Sequence, residues 1–416
     1  MRILVIGSGS REHALAWKLA QEAEVVCAPG NPGMAGDIEC VPTSATDAEG
    51  LLKLAREREI DLVVVGPEDP LIQGIGDQMR SAGFLVYGPG AAGARLEGSK
   101  AFSKQMMEEC GVPTAAFVTF FNVEEAKEYA KASYAKGVAL AVKASGAALG
   151  RGVTVAPTEE IALDAIQKMM VDRKFGAAGE TVVLEELLLG REFSLLTLVG
   201  DHNYVSLPIA QDYKRALDGD QGDNTGGMGT FSPCDWASSD LIAEVEERMV
   251  KPIVDRLRSE GIQFRGTLFT GVMVTPNGPK CLEYNVRFGD PETQTVMLRL
   301  GQGFLDALYQ TAAGKEIVNP EVLPNHVVTV IVASSGYPNA YKKGFPVTLD
   351  PPKADTVRFF AGVAGEPGAL VTSGGRVCAV SAGAATAAEA RAKAYSAAEG
   401  VRFEGSYYRT DIAAEP

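Results

Sequence analysis

Glu283–Tyr284–Asn285–Val286–Arg287–Phe288–Gly289–Asp290–Pro291–Glu292–Thr293 follows an apolar run, Phe269 to Val274, and a turn at Pro276–Asn277–Gly278–Pro279. Lys280–Cys281–Leu282–Glu283 therefore reads as the second strand of a hairpin. Alternate residues of a strand share a face, so Glu283 and Asn285 are expected to point the same way. Two hard oxygen donors on one face suit Mg²⁺, which takes few protein ligands and fills its octahedron with water and phosphate oxygens. Two residues further on, Arg287 adds a planar fork for a phosphate or carboxylate.

The rest of the chain narrows the partners. Its 416 residues, 46% apolar, allow two to four domains with sizeable cores. A formal net charge of -14 argues against long nucleic acid, so a phosphate ligand must be held by local devices such as glycine loops and helix N-termini. The six cysteines show no C-x-x-C spacing, which argues against a disulfide framework or zinc cluster. No run of 18 apolar residues exists, and Met1–Gly7 is too short before its glycines for a signal peptide. A soluble cytoplasmic protein with no membrane partner is expected.

Residues 1 to about 95 alternate short apolar strands (Ile3–Ile6, Val25–Ala28, Leu62–Val65, Phe84–Tyr87) with helical patterns near 12–21, 48–58 and 71–82. This alternation predicts a parallel sheet whose ligands bind beyond the carboxyl ends of its strands. A helix over 99–110 leads to a lobe with strands at 139–143, 153–156 and 181–184 and a helix at 159–171. Residues 192–320 alternate strands and helices around a long polar loop, 211–231. A last mixed unit has strands near 327–333 and 376–381 and an Ala-rich helix at 386–399. The expected domains are 1–100, 101–190, 191–325 and 326–416.

Several loops carry chemistry. Gly7-x-Gly9 follows the first strand, but Glu12 replaces the third glycine of a dinucleotide fingerprint and no acid ends the second strand. What remains is a tight turn at a helix N-terminus with Ser8, Ser10 and Arg11, suited to a monophosphate. Lys143 ends a strand before the glycine-rich 144–152 segment, which lies between two strands and so is no P-loop, yet can close over phosphates as a flexible lid. Glu185–Glu186 closes another strand, where backbone groups could meet an adenine edge and Glu192 a ribose. Asp212 and Arg215 could fix the two ends of a zwitterion beside the Asn224–Gly229 turn. Each segment also has an ordinary reading, as turn, hairpin or solvated strand end. Three histidines, none in a nucleophile motif, give covalent catalysis little support.

Together, Gly7–Ala14, Pro29–Gly33, Val65–Glu68, Leu96–Phe102, Gln211–Asp212, Asn224–Gly229, Arg287–Gln294 and Ser373–Val377 resemble the ATP-grasp superfamily, and within it the phosphoribosylamine–glycine ligase family, over essentially the whole chain. The resemblance implies an α/β, ATP-grasp fold with an N-terminal Rossmann-like parallel-sheet domain and a C-terminal mixed α/β domain. It implies an ATP-dependent ligase of purine biosynthesis that joins glycine to 5-phosphoribosylamine through glycyl phosphate, releasing ADP and phosphate. Lys104, Lys143, Gly150, Arg151, Gly152, Glu185, Glu186, Leu188 and Glu192 would bind ATP, and Glu283 and Asn285 would hold Mg²⁺ or Mn²⁺. Gly9, Ser10, Arg11, Glu12, Asn31, Gly33, Pro67, Glu68 and Arg287 would receive phosphoribosylamine. Asp212, with Lys214, Asn224, Thr225, Gly226, Gly227 and Asp290, would line the remaining substrate site; Arg287 and Asp212 are the implied catalytic residues. Partners would be small molecules alone, acting on a monomer or weak homodimer.

The chain departs from the family's usual motifs at Ser145, Leu149 and Arg151 in the glycine loop, at Ser8 and Ser10, at Tyr213 where a His is usual, and at Asp223 where Pro is usual. Tyr213 and Asp223 border the acceptor site. A paralogous carboxylate–amine ligase using another amino acid or phosphorylated amine is therefore the alternative, and a non-catalytic nucleotide-binding protein is a second.

Overall fold

A computed structural model describes residues 1–147 and 152–414. Strands β1 (Arg2–Gly7), β2 (Glu24–Pro29), β3 (Glu39–Cys40), β4 (Leu62–Val65) and β5 (Leu85–Tyr87) form a parallel sheet in the order β3-β2-β1-β4-β5. β1 and β4 are buried along almost their whole length, and their continuous Val, Ile and Leu runs are what a sheet covered on both faces requires. The first helix, α1 (Ser10–Leu19), starts where the glycine turn ends. The helix expected over 71–82 is two, α2 (Glu68–Ile72) and α3 (Ile75–Ser81), broken at Gly74, whose φ of 82° suits glycine.

Two helices, α4 (Ala91–Gly98) and α5 (Lys100–Glu109), lead into a small lobe whose antiparallel sheet runs β6 (Phe117–Phe120), β9 (Val182–Glu186), β7 (Leu140–Ala144), β8 (Val153–Ala156) across its width. Its core, including Phe120, Val142, Ile166 and Leu184, is a cluster of its own. A second antiparallel sheet, in the order β11 (Tyr204–Ser206), β10 (Arg191–Val199), β16 (Gly266–Thr275), β17 (Gly278–Asn285), forms the large lobe. The expected hairpin is present as β16 and β17.

The long polar loop is in fact four short strands: β12 (Gln211–Asp212), β13 (Arg215–Leu217), β14 (Gln221–Asn224) and β15 (Gly229–Ser232). Alternation was hidden there because β13 and β14 pair only with each other, an exposed ribbon with little apolar surface to reveal a period. β12 and β15 extend the C-terminal sheet, joining β18 (His326–Ser334), β20 (Arg376–Ala384) and β19 (Thr356–Phe360). That sheet thus crosses the expected 325/326 boundary. Large-lobe and C-terminal residues share one core cluster with one face of the parallel sheet.

Candidate active site

The main cavity, about 740 Å³, lies between the two lobes and reaches the parallel sheet and the C-terminal unit. Its large-lobe wall is set by the register of β16 against β17. A bulge between Gly271 and Val272 shifts the ladder, after which Glu283 faces Gly271 and Asn285 faces Phe269. Both therefore share the cavity face, while Tyr284 between them is buried and donates its hydroxyl to the Met249 carbonyl at 2.6 Å. Burial alone would push the Glu283 carboxyl up, but Lys100, Lys214, Lys143 and Arg287 outweigh it and bring it down to about 2. A carboxylate ringed by cations stays ionised at any physiological pH.

The opposite wall is shared by the small lobe and the helix α5 that leads into it. Lys104 from α5 and Lys143 from β7 both stand 2.9 Å from one oxygen of buried Glu185 on β9. The other oxygen, Oε1, is buried without a hydrogen-bond partner. Burial presses the Lys104 pKa below the usual lysine range against the pull of Glu185, and Lys104 also donates to Thr114 Oγ1 at 2.7 Å. Past the strand, Leu188 packs with Ala115, Met273 and Leu282, a small apolar cluster on the cleft floor. The Leu188 amide makes no hydrogen bond among the described residues. Glu192 accepts an ion pair from Lys214 at 2.6 Å. Gly152 lines the cavity; Gly150 and Arg151, and with them the middle of the expected lid, lie outside the described residues.

At the carboxyl end of the parallel sheet the charges interlock. Arg287 lies 2.8 Å from Glu97 and 3.5 Å from Glu68, and Arg11 lies 2.5 Å from Glu12 and 3.8 Å from Glu68. Glu97 accepts the Val286 amide at 2.8 Å, and burial pushes its carboxyl up to about 7 despite the pull of Arg287. Glu12 explains the missing third glycine. It accepts the Gly9 amide at 2.7 Å and so caps α1, and a β-carbon on Gly7 or Gly66 would collide with it.

Asn31 is a joint: its amide nitrogen donates to the Ser8 and Phe360 carbonyls, and its oxygen accepts the Gly33 and Met34 amides. A β-carbon on Gly33 would stand 2.4 Å from Phe360. Of the expected substrate residues, Arg11, Glu68, Asp212, Lys214, Asn224, Thr225, Gly226, Arg287 and Asp290 line the cavity. Gly9, Ser10, Glu12, Asn31, Gly33, Pro67 and Gly227 are outside that lining.

Asp212 Oδ1 is buried without a partner, and burial beside Glu292 holds the carboxyl well above the usual range against Lys214 and Arg376. A β-carbon on Gly227, whose φ is 103°, would stand 2.7 Å from that oxygen. Asp290 is gripped by Arg376 (2.7 Å), Gln294 (2.7 Å) and Ser10 (3.3 Å). Sequence reasoning gave no role to Arg376, Glu97, Lys100 or Glu292. All four lie inside the motifs Ser373–Val377, Leu96–Phe102 and Arg287–Gln294, which was the available signal.

A family model described as the ATP-grasp (A) domain of phosphoribosylglycinamide synthetase matches residues 98–293. The lobes and cleft are thus those of an ATP-grasp ligase. The N and C domains of the same synthetase match 1–97 and 327–415. The chain is 42% identical to phosphoribosylamine–glycine ligase of Agrobacterium fabrum, covering 99% of this chain and 98% of that one. It is 43% identical to a bifunctional purine biosynthetic protein of Pichia angusta, over 99% of this chain but 53% of the longer protein. A crystal structure of phosphoribosylamine–glycine ligase from Thermotoga maritima superposes with a TM-score of 0.87 at 37% identity, covering 99% and 100% of the two chains. The chain belongs to the phosphoribosylamine–glycine ligase family.

Proposed function

We propose that the cleft carries out its reaction with ATP clamped between the lobes and both substrates held on the body side. The chain is an ATP-dependent ligase of purine biosynthesis that joins glycine to phosphoribosylamine. Lys104 and Lys143 meet the phosphates, releasing part of their hold on Glu185; the Leu188 amide meets the adenine edge and Glu192 the ribose. The glycine carboxylate attacks the γ-phosphorus and displaces ADP, giving glycyl phosphate. The amine of phosphoribosylamine then attacks the activated carbonyl, loses a proton and expels phosphate. No protein nucleophile takes part, and the work is positioning and charge neutralisation.

The donor set suits a hard cation. Glu283 is ionised, Asn285 offers an amide oxygen on the same face, and no cluster of three or more His, Cys, Asp or Glu exists among the described residues. A cation here must complete its shell with water and phosphate, as Mg²⁺ or Mn²⁺ does. Bound there, it would neutralise phosphate charge. Arg287 and Arg11 receive the sugar phosphate, while Asp212, Lys214 and the Asn224–Gly227 turn hold glycine.

The ring of Lys100, Lys143, Lys214 and Arg287 around Glu283 is the observation that carries this reading. Basic groups that converge on one carboxylate while pairing with others (Lys143 with Glu185, Lys214 with Glu192, Arg287 with Glu97) are suited to exchange those partners for polyanionic ligands beside a metal. No helix among the described residues is long and apolar enough to cross a membrane; the reading is of a cytoplasmic enzyme working on small molecules, as a monomer or weak homodimer. The test is ADP release with ATP, Mg²⁺, glycine and phosphoribosylamine generated in situ, omitting each in turn. Release that persists without glycine, or that another amino acid supports better, would overturn it.

A further inference from the structure

The β13–β14 ribbon over the cavity is held from behind by the C-terminal end of the chain. Arg409, its side chain 1% exposed, pairs with Asp220 at the ribbon tip (2.8 Å) and with Asp411 of its own segment (2.6 Å). It also donates to the Arg215 carbonyl at 3.1 Å and stacks 4.9 Å from the centre of the Tyr213 ring. Four further bonds join the same two segments. The Thr410 amide (2.8 Å) and the Thr410 hydroxyl both donate to Asp218, the Gly219 amide to Asp411 (2.9 Å), and the Ala413 amide to the Tyr213 hydroxyl (3.0 Å). A fifth tie, Asn339 to Asp223 at 2.6 Å, comes from elsewhere in the C-terminal unit.

On its other side the ribbon runs straight into the cavity wall. Lys214 lies between Tyr213 and Arg215, and its carbonyl accepts both the amide (2.7 Å) and hydroxyl (2.9 Å) of Thr225. Thr225 opens the Gly226–Gly227 turn against Asp212. Two of the chain's departures, Tyr213 and Asp223, therefore bond the C-terminal unit through their side chains, and Tyr213 lines the cavity as well. Asp220 and Arg215, both held by Arg409, line the cavity.

We propose that the segment Arg409–Ala413 is a positioning element of the amino-acid side of the site, with Arg409 as its anchor. It acts through the ribbon to fix Lys214 and the Thr225–Gly227 turn. A buried guanidinium that satisfies two carboxylates, a carbonyl and a ring at once leaves the ribbon one arrangement, and misplacing a binding group by about 1 Å costs on the order of a hundredfold in rate. Because the inference rests on glycine binding at Asp212 and Asn224–Gly227, wild type is assayed first for glycine-dependent ADP release. Failure there overturns the site reading itself.

Given that activity, Arg409→Met in the full chain should raise the KM for glycine about tenfold or more while the KM for ATP stays within about twofold. Arg409→Lys should recover part of the loss, since it keeps the charge but not the fork. Thr410→Val, which removes one bond to Asp218 outside the cavity, should shift the glycine KM in the same direction by a smaller factor, and it carries the test if Arg409→Met does not fold. A purely structural role would lower the melting temperature or kcat and leave the KM values in their wild-type ratio. That outcome, or a rise in ATP KM equal to the rise for glycine, would overturn the proposal.

Discussion

The small lobe and the rest of the molecule are built on different plans. The lobe, residues 117–186, buries its aromatic and aliphatic side chains in a core that includes nothing outside it. The parallel sheet, large lobe and C-terminal sheet instead share clusters that run from one to the next. What joins the lobe to the body is mostly polar: Lys104 on Glu185, Lys143 on the Leu282 carbonyl at 3.4 Å, and the Lys100 amide on the Ser145 carbonyl at 2.7 Å. A lobe with its own core can shift as a unit without exposing apolar surface, whereas the shared core of the body holds Glu283, Asn285, Arg287 and Asp212 in fixed relation. Chemistry therefore sits on the body, and the lobe supplies the clamp.

The largest effect should come from breaking the body wall. Glu283→Gln keeps the shape of the side chain and removes the charge that a cation and four basic groups share. We expect kcat to fall at least ~10²-fold, the loss typical of one strong electrostatic stabiliser. The circular dichroism spectrum should not change. In wild type the carboxyl, held down to about 2, adds stability that is present above the ordinary carboxylate pKa and disappears as pH falls towards 2. Near wild-type turnover of the variant at saturating Mg²⁺ would remove Glu283 from the metal site.

Arg287→Ala tests a second body residue. A charge-assisted contact to the sugar phosphate is worth roughly 1.5–3 kcal/mol, so the KM for phosphoribosylamine should rise ~10- to 150-fold. The KM for ATP should move far less, because the clamp is made by Lys104 and Lys143. Glu68 and Glu97 lose their shared cation in this variant, so the melting temperature should also fall. An ATP KM that rose while that of the phosphorylated amine stayed constant would reverse the assignment.

Much of this was legible in sequence where side chains repeat a local rule. Four of the five strands of the parallel sheet are apolar runs and were placed within a residue or two, whereas the two-residue edge strand β3, with no apolar run, was missed. Glu283 and Asn285 were put on one face by period two alone, because the bulge lies upstream of both. What sequence hid is what depends on distant partners. Glu12 departs from a fingerprint, and only its bond to Gly9 and the space between Gly7 and Gly66 show that it is a cap. The 211–231 strands are two to four residues long, and β13 and β14 are largely exposed, so the stretch carries no period. Arg376 and Arg409 act across the fold, on residues 86 and 189 positions away, which no local pattern encodes.

Glu97 offers a smaller, pH-dependent test of the same wall. Its carboxyl is pushed up to about 7 by burial, from an ordinary value near 4.5. Between those pH values the folded chain holds a proton that the unfolded chain has released. Stability contributed by this group is therefore full below about 4.5 and lost as pH rises through 7, with a slope approaching about 1.4 kcal/mol per pH unit in mid-window. Glu97→Gln should flatten that part of the urea-midpoint profile without altering the limb below pH 4. Identical slopes for variant and wild type would show that Glu97 titrates normally.

The smallest effect should lie at the seam between lobe and body. Thr114 accepts from Lys104 and donates to the Cys281 carbonyl at 2.6 Å, next to the Pro113 carbonyl that takes the Cys281 amide. Thr114→Val keeps the volume and removes both hydroxyl bonds, leaving Lys104 to Glu185 alone. Losing hydrogen bonds of this kind costs ~0.5–1.5 kcal/mol each, so the ATP KM should rise only a few-fold. Glycine and phosphoribosylamine KM values should stay at wild-type levels, because Thr114 touches nothing that holds Asp212 or Arg287. An equal rise in all three KM values would mean that the seam positions the body as well as the lobe, and the division between clamp and chemistry would fail.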